Sequence, residues 1–120
     1  MTLRITKSTD TIEVKNLTAC IYAVPGVGKS TLGFTADAPL LLDFDKGSYR
    51  AGNRGDVVQI ENWNDVTSIT AADLAAYHTV VVDTAGRALD TLTATIIAEN
   101  PKLGRGGALT LQGFGELEAR

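Results

Sequence analysis

Short runs of apolar and β-branched residues alternate with amphipathic segments along most of the chain. The apolar runs predict strands at residues 17–24, 40–43, 57–60 and 79–83. Helical segments are predicted at residues 29–36, 71–77 and 87–99, with a helical turn opening at Trp63. Because strands alternate with helices and each connection is long enough for a crossover, the pattern predicts an α/β domain whose mostly parallel sheet is flanked by helices.

The first 15 residues have a different pattern. Two short alternating pieces, residues 3–6 and 11–14, lie on either side of the polar residues 7–10. Alternation interrupted by a polar turn predicts an N-terminal β-hairpin or edge strand over residues 1–15. Nothing in this stretch points to chemistry.

Composition limits the protein to a single domain over residues 1–120. Of its 120 residues 44% are apolar, which is enough to build a core. The net charge of −3 argues against a protein that coats nucleic acid through general basicity. The polar N-terminus and the lack of a long apolar run predict a soluble, cytoplasmic protein without a membrane span. The single cysteine, Cys20, falls within the first predicted strand and is expected to be a buried thiol.

The chain's most informative stretch lies between the first predicted strand and the helix after it. Glycines there allow main-chain N–H groups to turn toward an anion, and the helix adds partial positive charge. We expect Lys29 to reach the β and γ phosphates of a nucleotide and the Ser30 hydroxyl to ligate Mg²⁺. The predicted nucleotide-binding residues are Val24, Pro25, Gly26, Val27, Gly28, Lys29, Ser30 and Thr31.

The loop differs at one position from the pattern of Gly, four residues, Gly, Lys and Ser or Thr. Ala23 occupies the first position, which requires a small residue more than it requires a positive φ. The alternative interpretation is a glycine-rich turn with a solvated lysine. The strand predicted before the loop and the helix predicted after it favour the phosphate site.

Carboxylates follow two of the predicted strands. Asp83 ends the strand at 79–83 and is predicted to support Mg²⁺ together with Ser30, the alternative being a helix cap. Asp45 is the candidate for orienting an attacking water, with Asp43 as the alternate and a turn-forming role as the competing interpretation. His78 is expected to be a turn residue, and Trp63 to contribute to packing.

A family resemblance rests on four segments: AVPGVGKSTL, APLLLDFDKG, YHTVVVDTAGRALD and LTLQGFGELEAR. Together they resemble the RecA-like P-loop ATPases encoded by bacteriophages, the phage nucleotide-binding or single-strand-annealing ATPases, from Leu17 onward. The first and third segments match the Walker A and Walker B motifs of phosphate-loop ATPases. The resemblance implies a RecA-like core, Mg-dependent ATP hydrolysis and a role with single-stranded DNA in phage recombination or replication.

The resemblance also implies roles for particular residues. The water-orienting base of that family falls by position on Asp45, where the usual residue is the longer glutamate. A DNA-contacting loop falls on residues 100–108, so Lys102 and Arg105 become possible DNA contacts; a solvated connector is the alternative. A second basic loop at residues 47–54, with Lys46, Arg50 and Arg54, is a candidate for reaching a neighbouring subunit's nucleotide.

A RecA-type sheet continues beyond the last strand predicted here. We therefore expect a truncated sheet, either in a fragment or in a domain completed by another copy or a partner protein.

Two other functions stay open. One is a GTP-dependent switch, since residues 83–87 read DTAGR while no guanine-reading motif occurs. The other is a binding module that holds ATP without hydrolysing it.

Overall fold

The protein is described by a computed structural model that covers residues 2–119. Its strands and helices follow in this order: α1 Lys29–Gly33, β1 Pro39–Asp43, β2 Asp56–Gln59, α2 Trp63–Thr67, α3 Ala71–Leu74, β3 Thr79–Asp83, α4 Ala85–Glu99, β4 Gly104–Arg105, β5 Ala108–Leu109 and α5 Leu111–Ala119. Short 3-10 turns occupy Ser48–Arg50 and Pro101–Leu103.

A three-stranded parallel sheet forms the centre of the fold, in the order β2-β1-β3. The register pairs Asp43 with Gln59 on β2 and with Asp83 on β3, so all three residues lie at the carboxyl ends of their strands. This confirms the predicted α/β class with a parallel sheet. β1 is buried throughout its apolar run because it is covered on both faces and has a neighbour on each side.

Alternation along β1 divides the core into two clusters, one on each face of the sheet. Leu40 and Leu42 face a cluster completed by Phe44 and Ile60, against which side chains of α2, α3 and α4 pack. Leu41 faces the other cluster, which includes Phe34 directly after α1. Asp43 is therefore on the same face of the sheet as Leu41, the face covered by α1.

Two short helices on the first face begin with capping boxes. In α2 the Asn62 side chain accepts a hydrogen bond from Asp65 N, and in α3 the Thr70 hydroxyl accepts one from Asp73 N, with the acid of each pair bonding back to the cap. The caps compensate for the few intrahelical bonds of such short helices. Trp63, at the start of α2, packs against the core as predicted.

The predicted strand at residues 17–24 is wrong for this structure. Residues 11–24 adopt no regular secondary structure and are exposed, and Cys20 is an exposed thiol rather than a buried one. β-propensity describes a residue that fits a half-buried pleated surface, and here no partner strand supplies that surface.

The predicted N-terminal hairpin is also absent from the described part of the chain. A polar turn does form, since Asp10 N bonds to the Lys7 carbonyl at 3.0 Å and Lys7 N bonds to Asp10 Oδ2 at 2.8 Å. The pieces on either side of this turn do not pair as strands. A two-stranded hairpin without a sheet or helix beneath it is only marginally stable, which explains why alternation alone was insufficient.

The C-terminal part forms a small second layer against α4. Strands β4 and β5 pair antiparallel around Gly106 and Gly107, whose φ angles of 61° and 82° suit a two-residue hairpin turn. The loop expected at residues 100–108 is thus an ordered 3-10 turn and hairpin. Helix α5 contacts this hairpin as well as α4.

Candidate functional site

Two glycines in the loop at residues 25–28 have positive φ angles. Gly26 has φ 84° and Gly28 has φ 96°, both in the region that favours glycine. A Cβ at either position would meet no atom within 4 Å, so backbone conformation rather than space requires glycine here. Successive residues of opposite backbone hand turn their N–H groups to one side, as in anion-binding nests.

Lys29 links the two ends of this loop. Its Nζ donates a hydrogen bond to the Ala23 carbonyl at 2.8 Å, across six residues of chain. Helix α1 begins at Lys29 directly after Gly28. The ammonium group therefore lies at the loop, bound to a neutral carbonyl.

Ser30 connects the loop to the sheet. Its hydroxyl donates a hydrogen bond to Asp83 Oδ2, which joins two residues 53 positions apart in the sequence. The contact places the first turn of α1 over the carboxyl end of β3, and Gly33 lies close to the Val81 side chain on the same face. The structure thus brings Ser30 and Asp83 together, the two residues predicted to support Mg²⁺.

Asp43 is the fully buried acid of this region, with 0% of its surface exposed. Its Oδ2 accepts hydrogen bonds from Ser48 N and Gln59 Nε2, each at 3.2 Å, while Oδ1 has no hydrogen-bond partner among the described residues. Burial opposes ionisation, but the hydrogen bonds from Ser48, Gln59 and Lys46 outweigh it, and the pKa of Asp43 lies below its ordinary value. Asp43 is therefore an anion inside the protein.

Asp45 lies two residues after Asp43, on the turn that follows β1. Its main-chain N–H donates to the Asp83 carbonyl at 3.3 Å, and its side chain, 35% exposed, pairs with Arg87 Nε at 3.3 Å. Arg87 belongs to the first turn of α4. No role was predicted for Arg87 itself, although it is the last residue of the DTAGR segment.

Two groups suited to a hard divalent cation meet at the end of β3. These are the Ser30 hydroxyl and the carboxylate of Asp83, and Mg²⁺ prefers such oxygen ligands. Within residues 2–119 no group of three or more His, Cys, Asp or Glu residues forms a metal cluster, so the protein alone offers few ligands. That fits Mg²⁺, which keeps several waters and takes further oxygens from a bound phosphate.

Other predicted residues lie away from this group. Lys102 and Arg105 are exposed on the segment that follows the C-terminal end of α4, whereas the site lies at its N-terminal end. A helix of 15 residues is about 22 Å long, which gives the scale of that separation. His78 is exposed, and its Nδ1 pairs with Asp37 Oδ2 at 2.8 Å in the connection before β3.

A family model described as an AAA domain matches residues 15–120. The chain belongs to the AAA domain family. The match covers α1, the three strands of the parallel sheet and the helices that flank it, and it therefore includes every residue of the site described above. An AAA domain is a nucleotide-binding domain of the ATPase type. No curated protein and no solved structure gives a significant match to the chain.

The AAA domain match includes the glycine loop and the carboxyl ends of β1 and β3. Among the helices of residues 2–119, none is both long enough and apolar enough to cross a membrane.

Proposed function

We propose that this AAA domain binds ATP with Mg²⁺ at the loop of residues 24–31 and hydrolyses it. The observation that carries the proposal is the hydrogen bond between Ser30 and Asp83, because it joins the glycine loop to an acid at the sheet edge before any ligand is bound. A loop with N–H groups for phosphate and an adjacent hydroxyl–carboxylate pair for a cation is suited to a metal-bound triphosphate.

Each residue has a defined task in this proposal. Main-chain N–H groups of residues 26–30 bind the phosphate oxygens, and Lys29 exchanges the Ala23 carbonyl for the β and γ phosphates. Ser30 and Asp83 hold the cation, which, when bound, neutralises charge that develops on the phosphates. Asp45 accepts a hydrogen bond from the water that attacks the γ phosphorus, as the bond to the ADP oxygen breaks.

We also propose that the protein acts on single-stranded DNA, with a role in recombination or replication. Lys102 and Arg105 lie exposed in and beside the β4–β5 hairpin, where they are able to follow a phosphate backbone. Gly106 and Gly107 add no side chains that would block a strand. Assembly with another copy or a partner protein is part of this proposal, because β2 and β3 are both edge strands of the parallel sheet in the described residues.

The replacement Lys29→Ala tests the nucleotide site. Removing a charged donor to phosphate costs about 1.5–3 kcal/mol, so we expect the affinity for a fluorescent ATP analogue to fall about tenfold or more. Lys15→Ala, at an exposed position outside the loop, serves as the matched control. Equal affinity of the Lys29→Ala variant and the wild type would show that the phosphate site has been assigned wrongly.

Competition between ATP and GTP for the same fluorescent analogue tests the choice of base. Preferential displacement by GTP would favour the switch protein suggested by the DTAGR segment. Release of phosphate measured with and without single-stranded DNA then separates an ATPase from a module that only binds. Tight nucleotide binding without phosphate release, with or without single-stranded DNA, would support nucleotide binding and exclude hydrolysis.

A further inference from the structure

One segment of the chain bridges the central strand and the helix that follows the glycine loop. At its start, Ser48 N donates a hydrogen bond to Asp43 Oδ2 at the carboxyl end of β1, at 3.2 Å. At its end, Asn53 Nδ2 donates one to the Thr31 carbonyl in α1, at 3.1 Å. The residues between these two anchors therefore lie between the edge of the sheet and the first turn of α1.

The segment also has a direction relative to α1. Asn53 contacts Thr31 near the start of the helix, and a Cβ at Gly55 would lie 3.7 Å from the ring of Phe34, the residue that ends it. Rising residue number along the segment thus leads away from the glycine loop. Arg50, which comes before Asn53, is on the side of the loop.

Arg50 carries a guanidinium group that has no acidic partner in the described part of the chain. Its Nε donates a hydrogen bond to the Tyr49 hydroxyl at 3.3 Å, and its Cζ lies 5.4 Å from the centre of the Tyr49 ring. No ion pair formed within residues 2–119 includes it. The bond to Tyr49 uses one of five side-chain N–H donors, so Arg50 keeps donors for an anionic ligand.

The guanidinium of Arg50 is directed toward the turn that carries Asp45. Its Nη1 lies 3.9 Å from the position that a Cβ would take at Gly47. The hydrogen bond with Tyr49 raises the pKa of Arg50, and the negative charge of Asp45 adds to the increase. Asp45 forms its ion pair with Arg87 instead, at 3.3 Å. Arg50 is therefore near the proposed water-orienting acid without being neutralised by it.

We propose that Arg50 binds the γ phosphate of the ATP held by the glycine loop of its own chain. The inference rests on the proposed function and adds to it the residue that distinguishes ATP from ADP. A planar guanidinium donates two parallel N–H bonds to phosphate oxygens, and its contact with Tyr49 restricts it before the ligand arrives. The γ phosphate is the fitting group because Asp45, whose charge reaches Arg50, is proposed to orient the water that attacks it.

Affinities for ATPγS and ADP in the presence of Mg²⁺, measured by calorimetry, test the proposal. Arg50→Ala should weaken ATPγS binding at least tenfold and ADP binding less than twofold, because only ATPγS carries a γ phosphate. Arg50→Lys keeps the charge without the planar fork and should lose less affinity than the alanine variant. Unchanged ATPγS affinity in Arg50→Ala, or equal losses for the two nucleotides, would overturn the proposal.

Arg54→Ala is the matched control for these measurements. Arg54 is an exposed arginine of the same segment, but it lies between Asn53 and Gly55 and therefore further along α1 from the glycine loop. We expect this variant to bind both nucleotides like the wild type. A loss of ATPγS affinity as large as that of Arg50→Ala would show that the segment acts through its general charge, against a specific contact of Arg50.

Chemical modification of the wild type covers the case in which Arg50→Ala does not fold, which circular dichroism detects. Phenylglyoxal reacts with exposed guanidinium groups, and mass spectrometry of peptides gives the extent of reaction at each arginine. ATPγS should slow the modification of Arg50 at least fivefold, whereas ADP should not, and Arg54 should react equally in all samples. Equal reaction of Arg50 with ATPγS and with ADP present would contradict the proposal.

A mixture of two variants tests whether Arg50 acts within its own chain. Arg50→Ala and Lys29→Ala are each expected to bind ATPγS weakly, and an equimolar mixture should bind it no better. Recovery of tight binding in the mixture would mean that Arg50 reaches the nucleotide of a neighbouring subunit, which would refute the assignment to its own chain.

The titrations of the wild type separate this proposal from the proposed function. A wild type that binds neither nucleotide would exclude both. A wild type that binds ATPγS and ADP, together with an Arg50→Ala variant of equal affinity for each, would keep the nucleotide site and exclude only the role of Arg50.

Discussion

Asp43 and Asp45 are two residues apart but occupy opposite environments. Asp43 is the last residue of the central strand and is fully buried, whereas Asp45 is on the turn that follows and has a partly exposed side chain. A buried anion with fixed hydrogen bonds is suited to hold charge in place, and an accessible carboxylate is suited to contact water. Burial thus favours Asp45 over Asp43 as the water-orienting residue.

Asp45→Asn should lower the rate of ATP hydrolysis by at least tenfold while changing nucleotide affinity less than twofold. A positioned base contributes about 10²–10⁴-fold to a rate, and the amide cannot accept a proton from water. Steady-state phosphate release and analogue binding measure the two quantities, with Asp90→Asn as the control. An unchanged rate would exclude Asp45 from the reaction.

At the scale of elements, α5 approaches the β4–β5 hairpin closely because one of its residues lacks a side chain. Gly113 is buried, and a Cβ there would lie 2.6 Å from the Leu103 carbonyl oxygen and 2.9 Å from a methyl group of Leu109. Gly115, two residues further along the same helix, would place a Cβ in open space. The two glycines thus have different reasons for their presence, and only Gly113 is fixed by packing.

Gly113→Ala should destabilise the protein by about 1–3 kcal/mol, the range for overpacking against groups that cannot move aside. Gly115→Ala is the matched control and should be neutral or stabilising by up to about 1 kcal/mol, because alanine is the better helix former. Urea denaturation measures both free energies of unfolding. Equal effects of the two replacements would contradict the packing of α5 described here.

At the scale of the whole molecule, the folded core and the N-terminal segment are distinct. The radius of gyration is 18.0 Å, compared with about 14 Å for a compact domain of this length. The N-terminal segment is not packed on the core, since its apolar residues remain exposed, among them Leu3, Ile5, Ile12, Val14 and Leu17. The family match begins at residue 15, close to where this segment gives way to the domain.

A variant lacking residues 1–14 should keep the stability of the full chain to within about 0.5 kcal/mol, since those residues bury little surface. It should also bind the ATP analogue with unchanged affinity. Thermal and urea unfolding measure the stability. A variant lacking residues 111–120 is the comparison and should be less stable, because α5 packs on α4 and the hairpin. Loss of folding in the first variant would show that the N-terminal segment contributes to the core.

Much of the fold was predictable because some of its causes are local. The apolar run ending at Asp83 predicted β3 with its observed bounds, and the prolonged helical pattern after it predicted most of α4. The capping box of α3 has an equally local cause, since Thr70 and Asp73 are three residues apart. The glycines that predicted the phosphate loop have positive φ angles at Gly26 and Gly28, a conformation that glycine adopts readily.

The amino-acid sequence by itself therefore determined strand and helix character, the glycine loop and the residue types of a nucleotide site. Only the tertiary structure decided that residues 17–24 have no partner strand, that Asp43 is buried, and that Ser30 meets Asp83 and Arg87 meets Asp45. The physical reason is the distance along the sequence over which each interaction acts. Propensity, capping and turn geometry act within a few residues, whereas burial and pairing depend on segments that chain connectivity brings together from far apart.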